Sequence, residues 1–177
     1  MKGIIRHIVG YCLGMSIFIL LIPFALFEIS KTDRILLNFN LIDNLFLRVA
    51  VSLPFFLTAV FFMLSSNIFL LKIGKGGPAE GFNIAISPRT KKLVSNGPYS
   101  YTRNPMVFGA LSLYFSIAIF LNSLLCLISV FILLIIVYCY LIFSEEKRLL
   151  KDFGKDYQDY KKKVPMLFPF KKNKKIL

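Results

Sequence analysis

Apolar residues in this chain come in long, nearly unbroken blocks separated by short polar stretches. The first block, Ile4 to Phe27, follows Lys2 and Arg6. It exceeds the apolar core of a secretory signal, about 7–15 residues, and ends on Pro23, Phe24 and Phe27 rather than on small residues. It therefore predicts a retained membrane helix. Glu28 to Asn44 reads as a polar break containing Glu28, Lys31, Asp33, Arg34 and Asp43, with Ile35 to Ile42 apolar enough to rest on a membrane surface. Leu45 to Leu71 is a second span, with Arg48 placed to snorkel at its start and Lys72 at its exit. Pro54 should kink it unless a neighbouring helix satisfies the freed carbonyl.

Ile73 to Asn104 is the longest stretch expected to be non-helical, because Gly74–Pro78, Pro88 and Asn96–Pro98 are turn signals. Met106 to Leu121 is a short third span and Leu124 to Phe143 a fourth. One helix through both would far exceed a hydrocarbon layer of ~30 Å, so Asn122-Ser123 predicts the turn of a helical hairpin. From Ser144 to Val164, the residues Leu149, Leu150, Phe153, Tyr157, Tyr160 and Val164 recur at helical spacing, with Gly154 a weak point and Pro165 a stop. The fold class expected is an all-α integral membrane protein with about four transmembrane helices. The last two form a hairpin, and an amphipathic helix follows on the cytoplasmic side. We expect one membrane domain over residues 1–177, with two N-terminal spans in 1–72 and a functional module in 73–177.

Composition supports a bilayer as the solvent. Of 177 residues 56% are hydrophobic and mean hydropathy is +0.69, whereas soluble domains are nearer about 45–50% apolar. The net charge of +13 lies beside the apolar runs, in the N-terminus, the 73–104 loop and the C-terminal tail. That pattern places these three regions and both termini in the cytoplasm and disfavours nucleic acid as a partner. Lys161–Lys163, Lys171, Lys172, Lys174 and Lys175 would attract anionic lipid headgroups. Cys12, Cys126 and Cys139 sit in apolar runs as small hydrophobes, and His7 has no partner at metal-ligand spacing, so no metal is expected. Arg89, Lys91, Lys92 and Arg103 make the long loop basic, but no G-K-[ST] follows its glycines, which excludes a phosphate loop.

Two polar features could carry chemistry. Asn104-Pro105 is a favourable helix start, Asn as N-cap and Pro in the first turn. The amides there lack intrahelical partners and could hold a carboxylate, with Arg103 adding a bidentate cation and Gly109 leaving room for a ligand or helix. The same residues could simply start a membrane helix, with Arg103 snorkelling. Glu145 and Glu146 follow the fourth span. In a hairpin they would face Arg103, so that acid on one side and an anion-accepting helix end on the other suit a zwitterion. They could equally serve the first turn of the surface helix. Tyr99 and Tyr101 could stack on a purine or belong to an interfacial aromatic belt.

These features together resemble the isoprenylcysteine carboxyl methyltransferase and phospholipid methyltransferase group of membrane enzymes. The matching residues are L-V-S-N-G-P-Y-S-Y-T-R-N-P-M at Leu93–Met106, then Gly109, Glu145-Glu146, and F-G-K-D-Y-Q-D-Y-K-K-K-V-P at Phe153–Pro165. G-K-G-G-P at Gly74–Pro78 is similar to a G-x-G-T-P of bacterial members, and Asn104 is the bacterial alternative to a histidine. The resemblance covers about the C-terminal 105 residues and implies S-adenosyl-L-methionine as methyl donor. The donor's pocket would use Lys91, Lys92, Leu93, Val94, Gly97, Tyr99, Arg103, Asn104, Pro105 and Glu145, with Arg103, Glu145 and Glu146 the catalytic candidates. Val107 replaces the usual Tyr, and Leu141 stands where the eukaryotic isoprenylcysteine enzymes place a substrate-contacting arginine. The implied activity is methyl transfer to a lipid-like acceptor that enters from the bilayer, of the isoprenylcysteine carboxyl type. The alternatives are N-methylation of a phospholipid amine, with Glu146 as base, and a non-catalytic lipid-binding protein on the same scaffold.

Overall fold

A computed structural model describes residues 9–10, 12–14, 16–37, 39–75, 80–81, 84–85 and 90–169. The expectations for Lys2, Arg6, His7, residues 76–78, Pro88, Arg89 and the lysines at 171, 172, 174 and 175 fall outside these residues.

A π-helical turn, Ser16–Leu21, leads into helix α1, Ile22–Leu36. Pro23 lies in the first turn of α1, where a missing N–H costs little. The helix does not end at Phe27. It runs through Glu28, Lys31, Asp33 and Arg34, which corrects the polar break expected there. Charge alone does not stop a helix. Glu28 and Lys31 pair at i,i+3 spacing, 2.7 Å apart, and the Ser30 hydroxyl donates to Phe27 O at 2.7 Å.

Helix α2, Leu45–Phe69, is capped by the Asn44 side chain, which accepts from Leu47 N–H at 3.1 Å. Arg48 reaches back to donate to Ile42 O at 3.0 Å. Pro54 stays within the helix, and two residues before it Ser52 O accepts from the Ser116 hydroxyl of a neighbouring helix at 2.9 Å; the carbonyl that Pro54 frees is that of Ala50. A second π turn, Leu70–Gly74, ends this segment. The following loop is not wholly irregular: strands β1 (Glu80–Gly81) and β2 (Ile84–Ala85) pair antiparallel, and Gly97–Ser100 is a 3-10 turn.

Helices α3 (Pro105–Phe120) and α4 (Leu124–Tyr140) form the expected hairpin. Asn122 takes the left-handed conformation, φ 57°, and Ser123 caps α4 by accepting from Cys126 N–H at 3.1 Å. The Asn122 amide also accepts from Ile42 N–H at 2.8 Å and donates to Asn40 Oδ1 at 3.0 Å, so the turn is tied to the α1–α2 connection. The amphipathic helix expected from Ser144 has no separate start. A third π turn, Leu141–Glu145, carries α4 directly into α5, Glu146–Lys163. Gly154, at φ 51° and ψ −121°, breaks α5 internally.

The architecture is all-helical around a membrane core. Among the described residues, three helical stretches are long and apolar enough to cross a bilayer: Cys12–Leu36, Leu45–Gly74 and Leu124–Lys163. The 16 residues of α3 rise about 24 Å, short of a ~30 Å hydrocarbon layer. This short helix is the enclosed one, with Gly109, Ala110, Leu111, Ser112, Tyr114, Ser116 and Ala118 buried. Gly109 lies against Ala59 O and Met63 of α2 and Ser116 donates to Ser52 O, so the two backbones approach closely. The outer helices show apolar side chains to their surroundings, Phe46 at 83% and Ile135 at 60% exposed, a surface that needs lipid.

Gly109 sets the α2–α3 separation. A Cβ there would lie 2.8 Å from Met63 Cγ, 3.0 Å from Met63 N and 3.2 Å from Ala59 O. Gly109→Ala is therefore expected to lower unfolding stability in detergent by about 1–3 kcal/mol. An unchanged unfolding midpoint would contradict the close packing.

Candidate functional site

The site is assembled where the chain enters α3. Thr102 is fully buried, and its hydroxyl donates to Met166 O at 3.0 Å. Arg103 N–H donates to Pro165 O at 2.9 Å, and the Asn104 side chain donates to Met166 O at 3.0 Å. The segment after α5 is thereby laced onto residues 102–104. Asn104 precedes α3 as expected, but its side chain makes no cap bond to the helix. The tertiary contact to Met166 O takes that amide instead, and the α3 N-terminus gets no cap from Asn104.

The Arg103 guanidinium forms an ion pair, Nη1 to Oε1, with Glu146. The two side chains are 7% and 8% exposed. Arg103 also donates to the Tyr157 hydroxyl at 3.3 Å and lies 6.0 Å from that ring's centroid. The other Glu146 oxygen receives Lys161 Nζ at 2.5 Å. So the acidic pair does meet Arg103 at one end of the bundle, but Glu146 rather than Glu145 faces it. Glu145 is gripped by Arg148, with contacts of 2.6 and 3.3 Å, and Arg148 also reaches Asp152 at 3.3 Å. The Tyr160 hydroxyl donates to Tyr99 O at 2.6 Å, fastening α5 to the 3-10 turn. Burial pushes the Tyr160 phenol above its ordinary range. Burial also raises Tyr157, which Arg103 opposes and Glu146 reinforces.

A cavity of about 310 Å³ opens beside this network. Its lining combines charged and phenolic side chains, Arg103, Glu145, Arg148, Tyr157 and Tyr160, with apolar ones, Phe18, Ile19, Met63, Val107 and Ala110 among them. Of the residues singled out in the sequence, Leu93, Val94, Tyr99, Arg103, Asn104, Pro105 and Glu145 line it. Lys91, Lys92, Gly97 and Glu146 are not among its lining residues. Lys91 and Lys92 are exposed, and Lys91 N–H is anchored to Gly74 O at 2.8 Å. Gly97, at φ 61°, sits where a Cβ would overlap the Phe69 ring. Glu146 is withdrawn behind Arg103.

Sequence reasoning missed Asn67, Thr90, Arg148, Tyr157 and Tyr160 as lining residues. Asn67 had a signal, since an amide inside an apolar run is uncommon. Each π turn supplies at least one lining residue: Phe18 and Ile19, then Leu70, then Leu141 and Glu145. Such turns recur at functional sites because the extra residue re-aims side chains.

The class of protein is thus a helical membrane protein with a cavity lined by both ionic and apolar side chains. A family model described as phospholipid methyltransferase matches residues 47–156. The chain belongs to that family, and it is a membrane methyltransferase of the phospholipid and isoprenylcysteine type. The match begins in α2, a span that the motif resemblance had left out, and takes in Arg103, Glu145 and Glu146. Comparisons with curated proteins and with solved structures return no match.

Because Glu146 balances two cations in a buried place, Glu146→Gln should cost about 3 kcal/mol of stability. Glu145→Gln should cost about 1 kcal/mol, as its pair is more exposed. Unfolding midpoints compare the two, and equal losses would contradict the assignment. The raised Tyr160 phenol has a folded pKa above its unfolded value of about 10. Its contribution to stability is full below that pH and is lost as pH rises through the folded value. Alkaline unfolding should therefore be less steep in Tyr160→Phe than in the parent, measured above about pH 10.

Proposed function

We propose that this methyltransferase takes its methyl group from S-adenosyl-L-methionine and delivers it to a carboxylate at the polar end of a lipid-like acceptor. The observation that carries this reading is a single cavity whose lining includes the ionic groups of Arg103 and Glu145 together with apolar Phe18, Met63 and Val107. A soluble zwitterion and a lipid chain need those two environments in contact.

The residues present fit the donor. Arg103 lines the cavity and its Nε is buried with no hydrogen-bond partner among the described residues. With the adjoining α3 N-terminus it suits a carboxylate. Glu145 suits an ammonium group, and Leu93, Val94 and Tyr99 supply a partly aromatic wall for adenine. When bound, the donor supplies an electrophilic methyl on positively charged sulfur. The protein's share is to align the acceptor oxygen opposite the breaking bond and to keep water out. The enclosed α3 and the apolar lining of the cavity support that exclusion.

Neither glutamate stands free as a base. Glu145 is held by Arg148, and Glu146 by Arg103 and Lys161. A carboxylate acceptor needs no deprotonation, so it fits this arrangement best. The second reading, an amine headgroup, is favoured by the family's description. It would require one glutamate to leave its cation and act as base. In either case the acceptor would enter from the bilayer. The charge pattern favours cytoplasmic termini, a cytoplasmic donor site and attraction of anionic headgroups by the C-terminal lysines. We read residues 1–177 as one membrane domain.

Titration calorimetry of the purified protein with the donor should show binding that weakens at least about tenfold in Glu145→Gln and in Arg103→Ala, a loss of ~1.4 kcal/mol. Absence of binding to the parent protein would overturn the donor assignment. Membranes incubated with methyl-labelled donor should yield label that mild base releases as methanol. Base-stable label would replace the carboxylate by the amine.

A further inference from the structure

Asn67 follows Ser65 and Ser66 near the end of α2, and it is one of the residues lining the cavity. Its Nδ2 donates to Met63 O, one turn back, at 2.8 Å. That bond fixes which way the amide is turned and leaves Oδ1 on the opposite side. Oδ1 is buried and has no hydrogen-bond partner among the described residues. A buried carbonyl oxygen without a donor is costly, and more so at membrane depth. The arrangement is explained if the missing donor arrives with a ligand.

The surroundings say which donor. Leu70 follows Asn67 by about one turn. Around Gly74 the side chains of Leu70, Thr90 and Val94 converge, since a Cβ there would lie 3.3, 2.9 and 3.1 Å from them respectively. Thr90, Val94 and Tyr99 continue the cavity wall. Leu70, Val94 and Tyr99 give the cavity wall a mostly apolar, partly aromatic stretch, and Asn67 belongs to the same lining. A carboxylate or phosphate brings only acceptors and would be repelled by Oδ1. A flat heterocycle with an exocyclic amine suits both that wall and the oxygen.

We infer that Asn67 reads the adenine of the methyl donor by accepting an N–H from its 6-amino group. The inference rests on the donor assignment proposed above. It makes Asn67 a specificity-determining residue on a helix outside the motif-bearing segment. Replacing the amine by a carbonyl, as in hypoxanthine, would set two oxygens against each other. Sites built to receive a hydrogen bond reject such analogues strongly.

The test uses the full-length protein in detergent, titrated with S-adenosylhomocysteine and with S-inosylhomocysteine. The parent should prefer the adenosine compound by about tenfold or more. In Asn67→Leu the adenosine affinity should fall by about tenfold while the inosine affinity stays level or improves, so that the preference disappears. The retained inosine binding reports that the variant is folded. Asn67→Asp keeps an accepting oxygen and should keep a preference for adenosine. The inference is overturned if Asn67→Leu retains the parent's preference, or if the parent shows none. A parent that binds neither compound would remove the donor assignment itself, and this inference with it.

Discussion

The site depends on one buried ion pair. Arg103 ends the loop before α3 and Glu146 begins α5, and each is almost wholly withdrawn from solvent. Two charges cost several kcal/mol to desolvate, so neither would remain there alone. Lys161 meets the other Glu146 oxygen and the Tyr157 hydroxyl accepts from Arg103, while Arg103 Nε has no partner among the described residues. The pair therefore fixes the start of α5 against the start of α3. With that junction set, Tyr160 reaches Tyr99 O and the 165–166 segment folds across residues 102–104. Glu145, one residue earlier, is left on the cavity side with Arg148.

The rest is set by the bilayer. The short helix α3 is rich in small residues and packs tightly against α2, so it is enclosed by protein. The apolar lining of the cavity includes Met63 of α2 and Phe18 and Ile19 of the first π turn. A shortened central helix brings a polar site and an apolar wall within one small ligand's length of each other. The π turns help by aiming Leu70 and Glu145 inward without ending the helices that carry them. Methyl transfer asks for little more than this: alignment, a fixed charge at either side and a dry approach for the acceptor.

Much of the fold was legible because lipid imposes a simple rule on sequence, long apolar runs with polar ends. The starts of α2, α3 and α4 fell within a residue or so of their expected positions, and Asn122 formed the hairpin turn. The failures have local physical reasons. Glu28 to Arg34 looked like a break, but charged side chains pair along a helix without interrupting it. Asn104 had the right cap sequence, yet Met166 O, 62 residues away, took its amide. No one-dimensional pattern foresees that contact. Glu145 and Glu146 are neighbours in sequence and point about 100° apart on a helix. Which of them meets Arg103 depends on a π turn that periodicity does not reveal. Lys91 and Lys92 were expected in the donor pocket from the family resemblance; both are exposed and neither is among the cavity's lining residues. Asn67 was readable as an exception within its span, but its relation to Thr90 and Val94 required the packed structure.

The most direct test of the account is a double-mutant cycle on the buried pair, using Arg103→Met, Glu146→Leu and the two combined, read by unfolding midpoints in detergent. Each single change should destabilise strongly, because it strands the other charge. The double variant should recover part of that loss, giving a coupling of at least about 1.5 kcal/mol. Losses that simply add would mean that the two groups do not depend on each other, and would contradict the junction on which the site is built.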